Sequence, residues 1–150
     1  MPTILRISDL DEKGFLAVTM ADLLSIVGRG GERLTWIIWD LAISGFLEGG
    51  KAVQELEQES AAAPHGIIAT WTELWSLASQ LTQVRDGLFG GCSNPSGFPQ
   101  IGDENALFDT CEIVLQAVDA GWWEVRVRDD ALVRKLQEAF RDVTVENSSR

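Results

Sequence analysis

Apolar residues recur along this chain with two different periods, and the switches between them mark the elements it predicts. Residues 4–8 alternate apolar with polar and read as a first strand. A polar turn at 9–14 follows. Thr19 and Asp22 form a Thr-x-x-Asp start close to a capping box, and Met20, Leu23, Leu24 and Val27 trace one helical face behind it. Gly28, Gly30 and Gly31 read as the stop of that helix.

Residues 34–46 are apolar on both alternating sets, with Trp36, Ile38 and Ala42 on one and Ile37, Trp39, Leu41 and Ile43 on the other. Isoleucines beside tryptophans favour a strand covered on both faces; a buried helix is the alternative that periodicity leaves open. Residues 51–60 predict a short solvated helix carrying Glu55, Glu57 and Glu59. The fullest helical signal begins at the capping box Thr70-Trp71-Thr72-Glu73. Trp71, Leu74, Trp75, Leu77, Ala78, Leu81, Val84 and Leu88 give that helix a wide apolar stripe, ended by Gly90-Gly91. Residues 92–105, with Pro95 and Pro99, read as an ordered loop around Phe98.

Two strands at 107–118 and 122–128, joined by Asp119-Ala120-Gly121, predict a hairpin. Asp129 is placed to cap a last helix running to Phe140, and 144–150 form a polar tail. A consecutive hairpin argues against a doubly wound parallel sheet. The expected fold is a single α+β domain over 1–150, a mixed or antiparallel sheet of about four strands packed by helices.

Charge changes the picture next. Between Ala52 and Glu124 the chain has eleven acidic residues and one base, Arg85, out of a total net charge of −11. Such a balance repels nucleic acid and anionic membrane and favours a basic protein partner. No apolar run approaches the roughly 20 residues of a membrane span, and the first residues lack the order of a signal peptide. The expected compartment is therefore the cytoplasm, with Cys92 and Cys111 read as a reduced pair; a disulfide between them is the alternative that their count leaves open.

Candidate chemistry is sparse. His65, the single histidine, sits in the turn Ala63-Pro64-His65-Gly66, with no nucleophile elbow or metal spacing around it. Cys111 reads as a buried strand thiol. Cys92, behind a helix C-terminus, lies where the dipole disfavours a thiolate. The glycine groups at 28–31 and 87–91 follow predicted helices and read as caps, since neither leads into Lys-Ser or Lys-Thr. Asp103, Glu104 and Asp109 lack EF-hand spacing. No catalytic residue, metal site or cofactor is expected. Trp36, Trp39, Trp71 and Trp75 fall on predicted core stripes, whereas the adjacent Trp122 and Trp123 must point to opposite faces of a strand. Trp122 is thus a candidate interface anchor.

Two segments carry a resemblance. One is Thr70-Trp71-Thr72-Glu73-Leu74 with Gln83-Val84-Arg85-Asp86-Gly87 and Gly91-Cys92. The other runs from Cys111-Glu112-Ile113-Val114 through Val118-Asp119-Ala120-Gly121-Trp122-Trp123-Glu124-Val125 into the final helix. Together they resemble small bacterial immunity-type proteins of polymorphic toxin and contact-dependent inhibition systems. The resemblance covers the C-terminal half and consists of structural residues. It implies a cytoplasmic antitoxin, monomer or dimer, that binds one cognate toxin and does no chemistry itself; no family binding residues map onto these positions. With the charge asymmetry, the expected partner surface is Glu55, Glu57, Glu59, Asp103, Glu104 and Trp122, facing a basic toxin domain. The competing readings are a small enzyme with an acid and His65 pocket, and a subunit that associates with itself through the hairpin edge.

Overall fold

The computed structural model describes residues 2–94 and 97–146. Its elements are β1 (Thr3–Ile7), α1 (Met20–Val27), α2 (Arg29–Glu32), β2 (Thr35–Gly45), α3 (Val53–Ala62), β3 (Ile67–Ala69), α4 (Trp71–Gln80), β4 (Leu81–Cys92), α5 (Glu104–Thr110), β5 (Ile113–Val118), β6 (Trp122–Val127), α6 (Asp130–Ala139) and β7 (Val143–Glu146). The strands form one seven-stranded sheet in the order β3-β2-β4-β5-β6-β1-β7, and every pairing is antiparallel. The α+β class is as expected; the sheet is larger than the predicted four strands.

Three strands account for the difference. β3 is only three residues long, and β7 uses residues assigned to the polar tail. The tail beyond 146, and Pro95 of the predicted loop, lie outside the described residues. The third is β4, and it is the main correction. The stripe begun by Trp71 stays helical only to Gln80, and Leu81, Val84 and Leu88 belong to a twelve-residue strand between β2 and β5. The helix end is locked by the end of β2: the Gln80 carbonyl accepts the Phe46 N–H at 3.2 Å, and its side-chain oxygen accepts the Glu48 N–H at 2.6 Å.

Gly90 and Gly91 are therefore not caps. They sit in the middle of the sheet, where large side chains cross them. A Cβ on Gly90 would stand 2.9 Å from Cys111 Sγ and from Leu107 Cδ1, and one on Gly91 would stand 2.9 Å from Leu34 Cδ1. Glycine weakens a strand by itself but allows this close approach.

β2 is a strand, as expected, but its alternation changes phase. Asp40 has φ 54° and the pairing with β4 shifts between Trp39 and Ala42. Such a bulge moves later side chains to the other face. Leu41 and Ile43 consequently join Trp36 and Ile38 in the larger core, rather than Ile37 and Trp39.

The larger core is built from one sheet face against α1, α4 and α6, through Leu23, Leu24, Leu74, Leu132 and Leu136 among others. On the other face a smaller core covers β2, β4 and β5, built by α5 and the preceding loop, with Leu107, Phe98, Ile101 and Phe108 on Ile37, Trp39, Leu88 and Val114. Residues 107–110, predicted as strand, are the end of α5; its Asp103 cap accepts the Ala106 N–H at 3.2 Å. Helical spacing puts Leu107 and Cys111 on the same side, toward the sheet.

Cys111 is thus a helix-terminal residue and Cys92 a strand residue, and the two are joined in a disulfide with Cα atoms 4.3 Å apart. The expected reduced pair is corrected accordingly: packing α5 on β4 brings both sulfurs into one buried cluster. The hairpin is as predicted. Asp119 and Ala120 both take positive φ, 49° and 56°, and the Gly121 N–H reaches the Val118 carbonyl at 2.8 Å. This backbone matches the twist of the flanking strands.

Gly90→Ala should lower stability by about 1–3 kcal/mol through overpacking. Gly30→Ala, at a helical site with nothing within 4 Å of the added carbon, should be neutral or slightly stabilising. Urea unfolding of the two variants compares them directly.

Candidate functional site: an acidic rim around α3 and α5

α3 starts without a side-chain cap and has one buried residue, Ser60. Its place in the fold comes from the edge of β2. β3 pairs only with Trp36, Ile37 and Ile38, so the rest of that edge has no strand beside it. α3 covers it. Ser60 Oγ accepts the Leu41 N–H at 3.1 Å, and Glu57 Oε2 accepts the Ile43 N–H at 3.0 Å. Arg85 completes the seal, donating to the Ile43 carbonyl at 3.4 Å and to Ser44 Oγ at 2.8 Å, with Glu57 Oε2 at 3.9 Å. Buried backbone donors need partners, and here side chains supply what a strand would.

Glu57 therefore faces the sheet edge, while Glu55 and Glu59 are exposed. Residues two apart on a helix cannot share a face. Glu59 is held by Lys51 Nζ at 2.6 Å. The C-terminal end of α3 adjoins the loop leading to α5. The Ile101 N–H donates to the Pro64 carbonyl at 2.8 Å, and His65 Nδ1 lies 2.9 Å from the Pro99 carbonyl. His65, expected in an exposed turn, is half-buried, and its own carbonyl accepts the Trp39 indole N–H at 2.9 Å. Two residues beyond Ile101, Asp103 caps α5 and Glu104 opens it; both are exposed, as is Asp109 further along. Five of the six expected partner residues thus lie on two adjoining elements.

Trp122 is the exception. It begins β6, three strands from β2 in the sheet, and is half-buried. The Arg6 guanidinium stacks over its ring at 3.8 Å, a cation–π contact. Its indole nitrogen is buried without a hydrogen-bond partner. Trp75, expected in the core, is 41% exposed beside Trp71 instead, because α4 turns its flank to solvent.

The eleven acids of the middle segment do not form one unbroken anionic sheet of charge. Besides Glu57 and Glu59, Glu112 pairs with Arg33 at 2.9 Å and Glu124 with Arg126 at 3.1 Å. Glu73 closes the α4 capping box, and Asp86 accepts the Asp119 N–H at 3.1 Å. Of the exposed carboxylates outside these roles, Glu55, Glu104 and Asp109 lie on α3 and α5 with the capping Asp103, and Asp119 lies apart in the β5–β6 hairpin. Sequence reasoning missed Ser60 altogether. Its signal, one serine in a polar helix, is not distinguishable from solvated neighbours.

Among the described residues, no cluster of three or more His, Cys, Asp or Glu side chains is arranged to hold a metal ion, and no helix is long and apolar enough to cross a membrane. No family model matches the chain, and neither the curated proteins nor the solved structures contain a significant match.

The rim can be neutralised without unfolding. Asp103→Asn keeps the cap and should be nearly silent, whereas Asp103→Ala should cost about 1 kcal/mol. Glu55→Gln and Glu104→Gln should each stay within about 0.5 kcal/mol of the parent. Thermal and urea unfolding would check all four.

Proposed function

We propose that this protein acts by binding another protein, as an immunity-type antitoxin that occludes a basic toxin domain and performs no chemistry of its own. The observation that carries this reading is the contact between the turn that follows α3 and the loop that leads into α5. The Pro64–Ile101 and His65–Pro99 contacts hold together two elements that expose Glu55, Glu59, Asp103, Glu104 and Asp109.

Fixed carboxylates on such a rim attract a basic surface before contact, raising association rates above the neutral range of about 10⁵–10⁶ M⁻¹s⁻¹. An inhibitor that must reach its target before damage is done benefits from that speed. Glu57 is removed from the contact set, because it seals the β2 edge. Trp122 belongs to a separate patch with Arg6. The cytoplasm is the compartment that goes with this reading. The Cys92–Cys111 disulfide of the fold is uncommon in that compartment, which ordinarily keeps thiols reduced.

The test is functional. If a toxin domain is encoded beside this protein, co-expression with it should restore growth; the absence of such a neighbour, or a lack of rescue, would overturn the proposal. With the purified pair, the association rate should fall at least about tenfold from low to high salt. The combined Glu55→Gln, Asp103→Asn and Glu104→Gln variant should associate slowly even at low salt, with dissociation changed much less. Stopped-flow fluorescence of the tryptophans would measure both.

A further inference from the structure

Cations are scarce in this chain, 12 against 23 acids, yet Arg33, Arg128 and Lys135 line a single groove. It lies where the ends of several elements meet. Val27 closes α1, Gly30 belongs to α2, Ile113 opens β5, Arg128 follows β6, and Leu132 and Lys135 are on α6. The groove measures about 450 Å³, within the range of roughly 300–1,000 Å³ usual for small-molecule sites.

Its floor is apolar. Val27, Ile113 and Leu132 belong to the larger core and show their edges to the groove. Gly30 leaves room beside them, with nothing within 4 Å of where its side chain would start. Because these residues are held by the core, the groove exists before any ligand arrives.

The charges around the floor do not cancel. Glu112 is taken by Arg33 at 2.9 Å, and Asp129 accepts the Ala131 N–H at 2.9 Å. Arg128 donates through Nε and Nη2 to the Cys111, Phe108 and Asp109 carbonyls, which fixes its guanidinium plane without neutralising it. Among the described residues, no carboxylate lies at ion-pair distance from Arg128 or Lys135. Three cations against two acids leave one positive charge in excess. The grooves beside α3 have the opposite balance, with Glu48 and Glu73 against Lys51 in one and Glu59 in the other.

We infer that this groove binds a small organic monocarboxylate, its apolar body on Val27, Ile113 and Leu132 and its carboxylate held by Lys135 and Arg128. Charge selects the sign and the valence. One carboxylate balances the excess, whereas a phosphate dianion overshoots it and is repelled by Glu112 and Asp129. A guanidinium fixed in its plane suits a planar carboxylate. The floor selects a ligand with a body over a bare ion, since hydrocarbon removed from water adds affinity in proportion to its area. The site does not rest on the antitoxin reading, which stands or falls separately.

Hydrocinnamate is the probe, followed by calorimetry and heteronuclear NMR. It should bind at one site with a Kd of about 1 mM or tighter and shift the Gly30, Ile113 and Lys135 amides. Hydrocinnamyl alcohol has the same body without charge, and inorganic phosphate has charge without the body; each should bind at least about tenfold more weakly. Lys135→Gln removes an exposed charge that has no bonded partner and should weaken hydrocinnamate about tenfold. Gly30→Leu keeps every charge but fills the groove, and should abolish saturable binding while urea unfolding shows the fold retained. No saturable binding of hydrocinnamate to the parent protein would overturn the proposal. Unchanged binding in Gly30→Leu would place the ligand elsewhere, and unchanged binding in Lys135→Gln would remove the carboxylate from its assigned position; either result overturns the site as described. Phosphate binding as tightly as hydrocinnamate would overturn the choice of a monocarboxylate. Tighter binding of acetyl-glycyl-phenylalanine would make the ligand a chain terminus and overturn the small-molecule assignment.

Discussion

The demand that β2 be enclosed on both faces and along both edges organises this molecule. Trp36 and Trp39 point to opposite faces and are wholly buried. An indole N–H cannot be left unpaired in such places without cost. Each therefore reaches a backbone carbonyl outside the sheet: Trp36 that of Gly31 in α2 at 3.1 Å and Trp39 that of His65 at 2.9 Å. These two bonds tie the α1–α2 region to one face and the α3–β3 turn to the other. Trp123 does the same at the far side of the sheet, donating to the Val18 carbonyl at 2.9 Å. Tryptophan thus serves as core filler and as a tether for the segments that enter and leave the sheet.

The edges of β2 are closed unequally. β4 lies along one for almost the whole strand, whereas β3 covers only the first part of the other. The remainder falls to Ser60, Glu57 and Arg85. This is why the only base in the acidic middle segment is drawn to the sheet edge instead of neutralising the rim. The electrostatic asymmetry seen in composition is redistributed by such local needs. Some carboxylates cap helices, some accept backbone donors, some pair with cations from distant parts of the chain. Of the acids that reach solvent on α3 and α5, Glu59 is paired with Lys51 and Asp103 caps a helix, while Glu55, Glu104 and Asp109 take no such part.

A similar economy holds for α5. Its apolar side closes the second, smaller core with Leu107 and Phe108, while its acidic side faces outward. Arg128 steadies its C-terminal end, donating to the Phe108 and Asp109 carbonyls at 3.1 and 3.0 Å. Cations at a helix C-terminus also interact favourably with its dipole. α5, started by its Asp103 cap, is thus positioned by its packing on β4, by Arg128 just after β6 and by the loop against His65.

Where a signal was local, the sequence alone determined the outcome. The capping boxes at Thr19 and Thr70, the cap at Asp129, the hairpin at Asp119-Ala120-Gly121 and the doubly buried character of β2 all follow from residues close together in the chain. Tertiary structure decided the rest. Leu81, Val84 and Leu88 satisfy helical spacing as well as strand burial, and only pairing with β2 and β5, over glycines that clear room for Leu34, Leu107 and Cys111, resolves the ambiguity. β3 and β7 are too short to show a period, and β7 is held by Asp9, whose carboxylate accepts the Arg141 N–H at 2.9 Å. The bulge at Asp40 and the bond from Ser60 likewise arise from non-local contacts. Which acids face a partner and which face a backbone amide depends on those contacts, because charge counted along a chain has no direction until packing gives it one.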